Sequence, residues 1–80
     1  MKSRQIVLHD LNDVLKLVDV ASLVSFQVEA VSGTKHLDAG SILGIMSLDL
    51  TEPIELHYDG EDENLENFVE AHRLSGEYSI

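Results

Sequence analysis

Between Leu11 and Val31 the hydrophobic period changes from that of a helix to that of a strand, so no single kind of secondary structure accommodates both stretches. Leu11, Val14, Leu15, Val18 and Ala21 follow i, i+3, i+4, i+7 and i+10, which puts them on one helical face. Asp10 stands where an N-cap is needed, and Asp13 falls in the first turn, where a carboxylate suits the positive end of the helix dipole. Leu17, Val20 and Leu23 widen the apolar arc, so this helix is expected to be covered on more than one side. Phe26, Val28 and Ala30 then alternate with Gln27, Glu29 and Val31, the pattern of a strand with one buried face. A long helix feeding a half-buried strand requires a mixed α and β core.

The flanking sequence completes the order. Gln5-Ile6-Val7-Leu8 is β-branched and reads as a first strand. Ser32-Gly33-Thr34 makes a hairpin turn into a partner strand, Lys35-His36-Leu37-Asp38, in which only Leu37 is expected inward. Ser41 is a natural N-cap for the short apolar segment Ile42-Leu43-Gly44-Ile45-Met46. A connection from Ser47 to Pro53 leads to a strand in which Ile54, Leu56 and Tyr58 alternate with Glu55 and His57. Asp62 caps a last helix with Leu65, Phe68, Val69 and His72 on one face, Glu63 and Glu66 at its start and Arg73 at its end. Residues 74–80 are expected to fray. The result is a two-layer α+β fold, four strands with helices on one face, built from residues 1–80 as a single domain.

Length and charge bound the function. Eighty residues hold one small domain, in which most apolar side chains are needed to hold the fold. With no cysteine there is neither a disulfide framework nor a thiolate metal site, which fits a cytoplasmic location. No apolar run approaches the roughly 20 residues of a membrane span, and Met1-Lys2-Ser3-Arg4-Gln5 leads into no signal-type apolar stretch. A formal charge of −10 argues against nucleic acid and anionic membranes as partners and favours a protein with a basic face.

The segment Gly40-Ser41-Ile42-Leu43-Gly44-Ile45-Met46-Ser47-Leu48 closely resembles the regulatory-serine segment of the histidine-containing phosphocarrier protein HPr, of the bacterial sugar phosphotransferase system. In that family the segment typically reads Lys-Ser-Ile-Met-Gly-Val-Met-Ser-Leu. The hairpin from Val28 to Leu37 and the Ala21-Ser22 end of the long helix fall in register with it, as does the strand from Ile54 toward Asp62 after a shortened loop. The resemblance implies an α+β open-faced β-sandwich, a four-stranded antiparallel sheet with three helices on one face. It also implies two sites.

In the family a histidine at the start of the long helix accepts phosphate from enzyme I and passes it on, within a motif close to Gly-Leu-His-Ala-Arg-Pro. Here the corresponding stretch is Leu8-His9-Asp10-Leu11-Asn12-Asp13, with Asp10 in the histidine slot, Asn12 in the arginine slot and Asp13 in the proline slot. His9, one position away, is the alternative phosphoacceptor. No Arg or Lys occurs between Gln5 and Lys16 to stabilise a phosphoryl group, and Asp10 and Asp13 would each repel one by about 1 kcal/mol or more. The second site is Ser41, which the resemblance makes a regulatory phosphorylation site for HPr kinase. In the family the modified protein acts as corepressor for a catabolite-control transcription factor. Gly40 stands where a basic residue is usual. Ile42, Leu43 and Met46 match the apolar residues with which the family docks enzyme I, the kinase and the regulator.

Other constellations carry less chemistry. His36 and His57 are expected on outward strand positions and His72 half-buried at a helix end, and the spacings of His9, Asp10, Asp13, His57 and Asp59 match no strong metal template. The glycine of Asp59-Gly60-Glu61-Asp62-Glu63-Asn64 is misplaced for a calcium loop. No nucleophile triad or phosphate-binding glycine loop is recognisable, so neither an enzyme nor a cofactor is expected. The sequence reading is a regulatory, protein-binding homologue without histidine phosphocarrier activity.

Overall fold

The structure, a computed structural model, describes residues 1–73; the expected frayed tail, 74–80, lies outside the described residues. In chain order the elements are β1 (Lys2–Ile6), α1 (Leu11–Leu23), β2 (Val28–Ser32), β3 (Lys35–Asp38), α2 (Ile42–Met46), β4 (Ile54–Tyr58) and α3 (Glu63–His72). The strands form one antiparallel sheet of order β1-β4-β2-β3. Ile54, Leu56 and Tyr58 of central β4 lie beside Val28 and Ala30 of β2, and all five are buried under the helices in one core with Leu17, Ile45 and Val69. The fold class read from the sequence is the one observed.

The three expected caps are present. Asp10, Ser41 and Asp62 each accept a hydrogen bond from the backbone N–H three residues on, that of Asp13, Gly44 and Leu65. Each contact satisfies a donor that a helix start leaves unpaired and contributes about 1 kcal/mol. The hairpin turns at Gly33, whose φ of 61° lies in the left-handed region that glycine enters without strain.

Three expectations shift. The first strand spans Lys2–Ile6 rather than residues 5–8. Lys2 pairs with Tyr58 and Arg4 with Leu56, so two cations take core-side positions and hide the alternation. Lys2 keeps its ammonium in reach of water, 5.6 Å from the Tyr58 ring centroid and 3.6 Å from both Glu61 and Glu66 carboxylates. Val7 has left the sheet and donates to the carbonyl of His72 at 2.8 Å, while Leu8 remains buried. Phe26 precedes β2 and stacks on Tyr58 at 6.0 Å; a side chain at Gly60 would collide with its ring.

The third shift concerns α1. Its buried residues are Val14, Leu17 and Ala21, whereas Leu11 and Leu15 are 55% and 44% exposed. At 100° per residue, Leu11 and Leu15 lie about 80° and 120° round from the centre of the buried stripe. The sequence reading had centred the face on that flank. Leu23, expected to widen the covered arc, is also exposed.

Leu56→Ala is expected to cost about 2–5 kcal/mol, because the side chain is fully enclosed and its loss leaves a cavity. Leu43→Ala, at 81% exposure, should change stability by no more than about 0.5 kcal/mol. Urea unfolding of the two variants beside the parent checks both values.

Candidate functional site

The turn between β1 and α1 brings His9, Asp10 and Asp13 together and adds His72 from the far end of the chain. Asp10 is extended (φ −155°, ψ −178°), and its carboxylate takes the Asp13 N–H at 3.0 Å. One oxygen of Asp13, Oδ2, accepts the His9 backbone N–H at 2.8 Å and lies 3.3 Å from Nδ1 of the His9 ring. The other, Oδ1, lies 3.0 Å from Nε2 of His72. The His9 N–H, and with it His72, holds the Asp13 carboxyl below the usual carboxylate range, against the opposing effect of burial. The His9 side chain itself is 71% exposed. Asn12, in the slot where the family has arginine, is exposed and uncharged. Two carboxylates thus stand at the helix start, Asp10 taking a first-turn donor and Asp13 holding the residue before the cap.

At α2 the structure sorts the apolar residues cleanly. Ile45 is fully buried, while Ile42, Leu43 and Met46 are 40%, 81% and 51% exposed. Ser41 is exposed, with Oγ 3.3 Å from the Gly44 N–H. Asp38 shapes the turn before it: its side chain accepts from Gly40 N–H at 2.8 Å and its carbonyl from Ser41 N–H at 3.0 Å.

Helices α1 and α2 pack against each other, and one exposed apolar residue of each meets the other there. Leu11 and Met46 share a groove of about 240 Å³ with Leu8, His9, Asp10 and Leu50. Leu15 stands one turn along α1 from Leu11. Sequence reasoning had assigned Leu11 and Leu15 to the core and so missed their exposure. The α1–α3 cluster was also missed, because Asp13 and His72 are 59 positions apart and carry no local signal.

The remaining histidines lie on the open face of the sheet. His57 bonds Glu55 at 2.6 Å, and Glu29 stands 3.3 Å from His36 and 3.9 Å from His57. The strand register aligns Glu29 with His57. Among the described residues no three His, Asp or Glu side chains are placed to hold a metal ion. In the acidic turn after β4, Asp62 is committed to capping α3.

Asp13 has a pH consequence. A carboxyl whose folded value is depressed adds stability above its unfolded value, near 3.8, and that stability is lost as pH falls through the lower folded value. Asp13→Asn should therefore flatten the acid limb of the stability profile between about pH 5 and pH 2. Urea midpoints for parent and variant across that range measure it.

A scan of the sequence against protein-family models gives no match, and a search of curated proteins gives no significant one. The fold does match the crystal structure of HPr-C-His from Thermoanaerobacter tengcongensis, with a TM-score of 0.68 and 30% sequence identity. The match covers 89% of this chain and 93% of that one. The open four-stranded sheet, the helices on one of its faces and that identity over nearly the whole of both chains lead to one conclusion: this chain belongs to the HPr family.

Proposed function

We propose that this chain is a regulatory, protein-binding member of the HPr family that does not carry phosphate on histidine. The observation that carries the reading is the acidic start of α1, capped by Asp10. A phosphoryl group on His9 would stand beside the Asp13 carboxylate, already 3.3 Å from the ring, and near Asp10, which occupies the Asp13 amide. Two unit charges at about 4 Å repel by about 1 kcal/mol in water and by several times that near a protein surface. No arginine is present between Gln5 and Lys16 to offset this.

Docking is the activity left to the chain. Leu11 and Met46 meet in the α1–α2 groove, Leu15, Ile42 and Leu43 stand exposed on the same two helices, and exposed apolar area of this kind serves association. The chain's charge of −10 opposes a second copy and favours a partner with basic residues round an apolar contact. By family membership the candidates are enzyme I, HPr kinase and a transcriptional regulator, all cytoplasmic. Ser41, exposed at the start of α2, is the residue proposed for regulatory phosphorylation. Among the described residues no helix is long and apolar enough to cross a membrane.

A second reading rests on His9. Its ring is exposed, and a bond from Nδ1 to Asp13 leaves Nε2 free to act as a nucleophile. On this reading His9 accepts phosphate from enzyme I.

Met46→Asp is expected to weaken binding of enzyme I or HPr kinase from the same host about tenfold or more while leaving the fold intact. Titration calorimetry with a circular dichroism control measures this, and unchanged affinity for both would refute the docking surface. HPr kinase with ATP should add one phosphate that Ser41→Ala abolishes; a kinase product that survives Ser41→Ala would remove Ser41 from the reading.

A further inference from the structure

The hydrogen bonds at the end of α3 point to a charge. The His72 side chain is 12% exposed, and its ring stacks on that of Phe68 at 4.1 Å between centroids and 22° between planes. Nδ1 lies 2.8 Å from the Phe68 carbonyl oxygen, and Nε2 lies 3.0 Å from Asp13 Oδ1. A carbonyl oxygen only accepts hydrogen bonds, and so does an ionised carboxylate. A neutral imidazole has one N–H and would turn a bare lone pair toward one of these acceptors. Only a ring with a proton on each nitrogen would satisfy both acceptors at once.

We infer that His72 is a positioning residue that acts as an imidazolium: it clamps Asp13 and, through the other oxygen of Asp13, fixes His9 as one wall of the α1–α2 groove. The path is short and continuous. Oδ1 of Asp13 faces His72 and Oδ2 holds the backbone and ring of His9. His9 lines the groove with Leu11, Met46 and Leu50. The shape of that wall is thus set by a proton bound on a different helix, 59 positions away in sequence.

The groups round His72 define the sign. Asp13 is its ionic contact on α1, where Lys16 and Asp19 also line the α1–α3 groove, with Asp62 on the α3 side. Asp62 is engaged by the Leu65 N–H, and Arg73, next in the chain, pairs with Glu70 at 3.0 Å. His9 lies beyond Asp13, and the segment after β1 meets His72 through the Val7 N–H on the His72 carbonyl. Raising the pH removes the imidazolium proton, turns a lone pair toward Oδ1 and releases the carboxylate from that side. Lowering it until Asp13 is protonated breaks the same clamp from the other. The inference concerns the groove wall alone and stands independently of what docks there.

Nuclear magnetic resonance on the full-length ¹⁵N-labelled chain tests it. At about pH 6 the His72 ring should show two protonated nitrogens, and as pH rises the His9 backbone amide should shift with the same midpoint as that ring. Asp13→Asn, which keeps the shape but not the charge, should leave His72 with one bare nitrogen where the parent has none. His72→Phe, which keeps the stack on Phe68, should remove the His72-linked component of the His9 amide titration and speed exchange of that amide about tenfold. One bare nitrogen on His72 in the folded parent at that pH would overturn the inference. So would a His9 amide titration that is the same in parent and His72→Phe.

Discussion

The Asp13 carboxylate joins three parts of the chain: the loop after β1, the start of α1 and the end of α3. One oxygen holds the loop that leaves β1, through His9, and the other holds the end of α3, through His72. The residue itself sits in the first turn of α1, where its N–H is capped by Asp10. This end of the sandwich needs such a contact because β1 lies at the edge of the sheet and pairs only with β4. Its other side is met by the end of α3, where Val7 bonds to His72 and Ile6 forms a bridge with Arg73. A carboxylate with donors on both oxygens anchors that junction more firmly than surface ion pairs, which are worth little when solvated.

The same residue sets the chemical character of the helix start. A helix N-terminus attracts anions when its N–H groups and dipole are free. Here Asp10 and Asp13 supply that negative charge internally. Apolar residues stand exposed on two helices, Leu11 and Leu15 on α1 and Ile42, Leu43 and Met46 on α2. Carboxylates at the helix start with exposed leucines nearby suit the proposed recognition of a partner better than acceptance of a phosphoryl group. The reading of the chain as a regulatory member of its family follows from that balance of charge and apolar area.

The sequence made local chemistry legible and long-range chemistry much less so. Asp10, Ser41 and Asp62 were readable as caps because an N-cap depends on a side chain and an amide three residues away. β4 was readable because Ile54, Leu56 and Tyr58 alternate without interruption. β1 was misplaced because Lys2 and Arg4 occupy core-side positions on their aliphatic stems, which a polarity pattern cannot reveal. The face of α1 was rotated because hydrophobicity marks residues that avoid water without saying whether a core or a partner covers them. Leu11 and Leu15 are exposed on the folded chain. The link from Asp13 to His72 has no sequence signature, since only the packing of α3 against α1 creates it.

Intact-mass measurement of the chain after incubation with enzyme I and phosphoenolpyruvate from the same host tests the central claim most directly. The self-capped, acidic start of α1 predicts that the mass does not change, while an authentic phosphocarrier in a parallel tube gains one phosphate. An acid-labile phosphate on this chain, lost in His9→Ala, would contradict the account and make His9 a working phosphoacceptor.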